Sequence, residues 1–165
     1  MKKEHDKQIY FVEDNEMFAI PVKIGLEKIG YQVQYFHSGE EMFSQTTVVP
    51  DIVVLDYMIG GENGSLKGGR QLIRAVLEAY GDVPVVVLSA IEDIKEIDLI
   101  LNSGAADFIS KGDHFFDDLT KSIRNIEMLE KLKIEILQLR KYVHYYKYCF
   151  ILALGVLLLI LLWFG

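Results

Sequence analysis

The chain has 165 residues, 51% of them apolar, and a formal charge of −7, enough for one domain with a real core and something in addition. The charge is divided, because residues 1–118 carry 21 acidic and 10 basic side chains whereas residues 119–148 carry 3 and 7. An acidic body argues against a phosphate-binding surface, so no nucleic acid is expected as a partner, and the single cysteine, Cys149, excludes an internal disulfide.

The first ten residues, MKKEHDKQIY, hold no apolar stretch of the kind a secretory signal needs. Gln8 to Val12 is an apolar run that stops at Glu13, Asp14 and Asn15, and Asn15 is a good N-cap for the periodic segment Glu16 to Lys28. Pro21 is the one awkward residue of that helix. Gly30 closes it, Gln32 to Tyr35 reads as a short strand, and Gly39 to Ser44 as a second helix before Pro50. The strand Asp51 to Leu55 follows, then a loop from Asp56 to Gly69 with five glycines, then a helix from about Arg70 to Tyr80. Residues 83 to 90, VPVVVLSA, form the next strand, Glu92 to Asn102 a helix, Asp107 to Ile109 a last short strand, and Asp117 opens a long helix. Val, Ile and Leu runs alternating with amphipathic helices indicate an α/β fold, a (βα)₅ doubly wound parallel five-stranded sheet covered on both faces.

The segment DIVVLDYMIGG, residues 51 to 61, ends its buried run on a carboxylate, Asp56. In an open parallel sheet, ligands bind beyond the carboxyl ends of the strands. Glu13 and Asp14 sit at such an end, as do Asp56, Ser89 and Lys111. Three converging carboxylates repel unless a hard divalent cation and a lysine offset them, and oxygen ligands suggest Mg²⁺. A carboxylate beside Mg²⁺, with a hydroxyl and an ammonium nearby, is poised for in-line phosphoryl transfer, with Asp56 as the nucleophile. The four histidines are scattered, and no GxxxxGK[ST] pattern supports nucleotide binding.

FVEDN at 11–15, VVLDYM at 53–58, VLSA at 87–90 and GAADFISK at 104–111 together resemble the receiver domain of two-component response regulators. The resemblance covers about residues 7 to 125 and implies a flavodoxin-like fold. It implies that Asp56 is the phosphoacceptor, that Asp14 and the Met58 backbone carbonyl bind Mg²⁺ with Glu13 in support, that Ser89 and Phe108 are the switch pair, and that Lys111 pairs with the phosphoryl group. It further implies a histidine kinase or phosphotransfer protein as partner, and a signalling module rather than an enzyme of turnover. Two features depart from the family's pattern. Gly112 stands where a proline usually follows the lysine, and the loop MIGGENGSLKGGR is several residues longer than usual.

Residues 148–165, YCFILALGVLLLILLWFG, carry no charge, and their 18 positions fall within the roughly 17 to 25 that cross a bilayer as a helix. Tyr142, Tyr145, Tyr146 and Tyr148 crowd one end and Trp163 marks the other, while Arg140, Lys141 and Lys147 precede the run. That arrangement predicts a single-pass C-terminal anchor in the cytoplasmic membrane, with the preceding domain in the cytoplasm. Residues 1–125 are thus expected to form the receiver, 126–147 a helical stalk and 148–165 the transmembrane helix. Leu129, Leu132, Ile136, Leu139, Val143 and Tyr146 follow 3,4,3,4,3 spacing, which fits both a short coiled-coil seam joining a homodimer and a plain polar spacer. The expected function is a membrane-tethered phosphoacceptor, and the opposing one is an adaptor of the same fold that is not phosphorylated.

Overall fold

The computed structural model describes residues 7–59 and 69–164. Ten elements alternate along the chain: β1 (Gln8–Val12), α1 (Glu16–Lys28), β2 (Gln32–Phe36), α2 (Gly39–Gln45), β3 (Ile52–Asp56), α3 (Arg70–Tyr80), β4 (Val85–Ser89), α4 (Ile94–Asn102), β5 (Asp107–Ser110) and α5 (Phe115–Phe164). All five strands pair in parallel, in the order β2-β1-β3-β4-β5. The expected α/β sheet is therefore present, and its strand order reverses between β1 and β3.

Strand side chains alternate between faces, and each face has its own core. Ile9, Phe11, Val54, Val86 and Leu88 pack with Ala19, Val22 and Leu26 of α1 and with Leu119, Ile123 and Ile126 of α5. Tyr10, Val12, Val53, Leu55, Val85 and Val87 pack with Met42 of α2, Leu72, Ile73 and Val76 of α3, and Ile100 of α4. With both faces covered, every residue of β3 and β4 is buried, which is why these strands read as unbroken apolar runs. Truncating one of these side chains, such as Ile52→Ala, would cost about 2–5 kcal/mol.

The helix starts follow local chemistry. Asn15 caps α1, its side chain accepting from the Phe18 N–H, and Ser38 caps α2 by accepting from the Glu41 N–H. Pro21 does not break α1; it lies on the exposed side of the helix, as does Met17, whose carbonyl has no N–H to accept from at Pro21. Asp93 caps α4, so that helix begins at Ile94 rather than Glu92. The long glycine-rich loop expected after Asp56 falls largely on residues 60–68, outside the described residues.

One compact unit ends at Ile126. From Glu127 to Phe164 the chain is helical, and from Lys131 to Ile160 its side chains are exposed. The helix that contains this segment is long and apolar enough to cross a membrane, and none of its apolar window is buried.

Candidate functional site

The site is built at the carboxyl ends of β1, β3, β4 and β5, beside the point where strand order reverses. Register sets its geometry: Val12 lies beside Leu55, Asp56 beside Leu88, and Ser89 beside Ser110. Glu13, Asp56 and Ser89 therefore emerge from neighbouring strands at one level, with Lys111 just past Ser110.

Asp56 is the last residue of β3 and only 5% exposed. Its Oδ1 accepts from the Met58 N–H at 3.1 Å, and its Oδ2 lies 3.0 Å from Lys111 Nζ. Glu13 is more deeply buried still, at 1%. Its Oε1 accepts from the Asn15 N–H at 3.1 Å and its Oε2 from Lys111 Nζ at 2.7 Å. Burial pushes the Glu13 carboxyl above the ordinary carboxylate range; the Lys111 hydrogen bond opposes that rise and the nearby Asp56 charge adds to it. A buried charge of this kind persists only when paired, and Lys111 pairs it with both acids at once.

Asp14 is exposed beside them. One carboxylate oxygen each from Glu13, Asp14 and Asp56 lies within 4.8 Å of the others. This all-oxygen, net-negative set suits a hard cation such as Mg²⁺, which favours carboxylates and retained water. Met58 is exposed, and its N–H already engages Asp56.

Lys111 is positioned by backbone on both sides. Its N–H donates to Ser89 O at 2.8 Å, Gly112 N–H to Ser110 O at 2.8 Å, and Phe115 N–H to Gly112 O at 3.2 Å. Gly112 has no positive φ and open space where a Cβ would stand, so nothing in the turn demands glycine. Ser89 is fully buried, and its Oγ accepts from the Ile91 N–H at 3.2 Å. It does not cap α4, which Asp93 does. Phe108, beside Val87 in the sheet, is half-buried against the second core cluster.

Two features escape the sequence reading. The Phe18 ring lies under the lysine, 4.3 Å from Nζ to its centroid. The Tyr57 hydroxyl donates to Glu96 of α4, whose carboxylate also lies 4.0 Å from Arg70. Both pairs join distant segments, and neither residue type is unusual where it stands.

Residues 9–133 match the family described as the response regulator receiver domain. Over 105 residues, 63% of the chain, there is 30% identity to the transcriptional regulatory protein QseB of Haemophilus influenzae, of which 45% is covered. The DNA-binding response regulator MtrA of Mycolicibacterium paratuberculosis is 32% identical over 106 residues, covering 64% of this chain and 44% of MtrA. The chain thus spans less than half the length of these relatives. Among solved structures, a putative response regulator from Chloroflexus aurantiacus aligns with a TM-score of 0.64 at 26% identity, across 73% of this chain and 97% of that one.

Proposed function

Because the chain belongs to the response regulator receiver domain family, we propose that it is a membrane-anchored receiver that takes a phosphoryl group on Asp56 from a histidine kinase or phosphotransfer protein. The observation that carries this reading is the Lys111 ammonium held between Glu13 and Asp56 at the sheet's switch point, at 2.7 and 3.0 Å.

An Asp56 oxygen attacks the phosphorus of the donor while the bond from phosphorus to the donor nitrogen breaks. Met58 N–H fixes the carboxylate from one side and Lys111 leaves Glu13 to meet the phosphoryl oxygens, a charge-assisted contact. Asp14, Asp56 and the Met58 carbonyl would hold Mg²⁺, with Glu13 in support, and the ion would neutralise charge on the transferred group. Ser89 Oγ then exchanges its Ile91 partner for a phosphoryl oxygen, and Phe108 repacks with it. Signalling through the surface, rather than turnover, is the output.

The anchor rests on the uncharged run 148–165 and on the exposure of residues 148–160 within the helix. A receiver on such a helix acts at the inner face of the membrane. QseB and MtrA are more than twice as long as the matched segment, and their DNA-directed roles are not carried over; the acidic body of this chain, 21 acids against 10 bases in residues 1–118, supports a protein partner instead.

Acetyl phosphate with Mg²⁺ should add one acid-stable, base-labile phosphoryl group to the full-length protein in detergent micelles. Asp56→Asn should abolish it, and EDTA should prevent it. Equal labelling of the variant would sink the assignment, and a wild type that takes no phosphoryl group would leave the adaptor reading standing.

A further inference from the structure

The phosphoacceptor reading leaves one neighbour of the site unused. Phe18 stands in the first turn of α1, where Asn15 accepts its N–H through both the backbone carbonyl and the side chain. Its ring is held in turn by Phe115, at 5.0 Å between centroids and tilted by 35°. Over that fixed ring sits the Lys111 ammonium, 4.3 Å from the centroid, inside the ~6 Å at which the negative face of an aromatic ring attracts a cation. Lys111 thus has an acidic side, Glu13 and Asp56, and an aromatic side, Phe18. Its side chain is 16% exposed, so little water competes for either.

We propose that Phe18 is a positioning residue for Lys111, its ring holding the ammonium beside Asp56 while the carboxylates bind metal and the phosphoryl group arrives. The inference rests on Asp56 being the phosphoacceptor. In the metal-free state the two carboxylates alone can hold the lysine. Once a divalent cation neutralises them, their pull on Lys111 falls, and a flexible four-carbon stem is free to swing the strongly hydrated ammonium into water. The pull of the ring does not depend on the metal. Gly112, with open space around it, contributes no side chain that would restrain the lysine from the turn. The ring therefore matters most in the metal-loaded state that precedes transfer, when an Asp56 oxygen bonds to phosphorus and the phosphorus bond to the leaving oxygen or nitrogen breaks. Lys111 remains protonated throughout and only changes partners.

The test replaces Phe18 in the full-length, micelle-embedded protein by mono-, di- and trifluorinated phenylalanine, which keep its shape while draining negative charge from the ring face. At saturating Mg²⁺, the rate constant for labelling by acetyl phosphate should fall stepwise with each fluorine, by about 2- to 30-fold over the series. Phe18→Leu should lose at least as much and Phe18→Tyr should keep the wild-type rate, with Mg²⁺ affinity by titration calorimetry unchanged in all. In the metal-free protein, the Lys111 ε-methylene protons, read by NMR on carbon-13-labelled lysine, should be shifted upfield by the ring beneath them and should lose that shift in Phe18→Leu. Normal labelling with a rate that is flat across the fluorinated series would overturn the positioning role alone, as would an ε-methylene shift unchanged in Phe18→Leu. A wild-type chain that takes no phosphoryl group would overturn the phosphoacceptor reading and this inference with it.

Discussion

Lys111 Nζ lies 3.0 Å from Oδ2 of Asp56, so a cation already stands beside the carboxylate proposed to take the phosphoryl group. The same nitrogen reaches Glu13 Oε2 at 2.7 Å, and all three side chains are at least four-fifths buried. Lys111 is therefore the counter-ion of both carboxylates in this structure, and the proposed transfer would require it to exchange them for the phosphoryl group.

Lys111→Ala should expose that dual role. It leaves two buried carboxylates facing each other without a cation, a loss of about 3–5 kcal/mol in metal-free protein at neutral pH. Saturating Mg²⁺ should recover much of this, because a ligand that binds only the folded state stabilises it. Thermal melts in EDTA and in MgCl₂ measure both arms; a variant whose melting temperature does not rise with Mg²⁺ would show that the carboxylates do not hold metal. Beryllofluoride, which shifts the spectra of the wild type, should do so weakly or not at all in the variant.

Glu13→Gln should act in the opposite direction. The folded-state pKa of Glu13 is raised above its ordinary 4.5, chiefly by burial. Stability from this group is therefore complete below 4.5 and is lost as the pH rises through the raised value, where the folded protein must hold a buried charge that the unfolded chain carries in water. Glutamine removes that loss. The variant should exceed the wild type in stability near pH 7.5 in EDTA, converge with it below the ordinary 4.5, and bind Mg²⁺ more weakly. Denaturant titrations across that range decide the matter, and a variant less stable than wild type at pH 7.5 would contradict it.

Tyr57→Phe tests the link from the end of β3 to α4. Burial, and next the hydrogen bond to Glu96, hold the phenol above its usual pKa, so the hydroxyl remains the donor at all physiological pH. Losing it should cost about 0.5–1.5 kcal/mol and loosen the first turn of α4, where Glu96 sits. Faster amide exchange in residues 94–98, with the rest of the sheet unchanged, is the expected signature.

How much of this was legible beforehand depends on the range of the interaction. The strand of Asp56, the cap at Asn15 and the boundaries of α1 and α3 follow from runs and periods a few residues long, and sequence reading places them correctly. Errors are at edges: Asp56 belongs to β3 itself, β4 starts at Val85 rather than Val83, and α5 starts at Phe115 rather than Asp117. Local pattern is weaker on single residues. Glu13 alone reads as a surface acid after a strand, yet it is buried, because only the approach of Lys111 from β5 makes that burial tolerable. Phe18 is the extreme case. Its spacing to Val22 and Leu26 reads as ordinary helix core, and nothing along the chain reveals that a lysine from the far end of the sheet will rest on its ring.

The membrane reading predicts that full-length protein resists carbonate extraction while residues 1–140 are soluble. Leu157 stands within the uncharged run, half-exposed on the helix. Leu157→Arg should weaken insertion by about 2.5–3.5 kcal/mol and shift a large share of the protein to the soluble fraction. A wild-type chain released by carbonate would remove the anchor.

The last prediction joins the two ends of α5. Leu119, Ile123 and Ile126 are buried on the sheet, whereas Leu132 and Ile136 of the same helix are exposed, so the apolar seam from Leu129 to Tyr146 has no partner within the described residues of one chain. A second copy would cover it. Confinement to a membrane raises the local concentration of such helices, so a weak pairing preference is populated without a large interface. If phosphorylation of Asp56 repacks Ser89 and Phe108, the surface of β4 and β5 changes, and with it the pairing of receivers on neighbouring stalks. Cysteines introduced at Leu132 or Ile136, in a Cys149→Ser background, should then cross-link more in the phosphorylated protein and no more than basally in Asp56→Asn. The basic side chains Lys131, Lys133, Arg140 and Lys141 offer the competing outcome, a helix held against anionic lipid. In that case cross-linking is absent or equal in both states, and the signal leaves through the receiver surface alone.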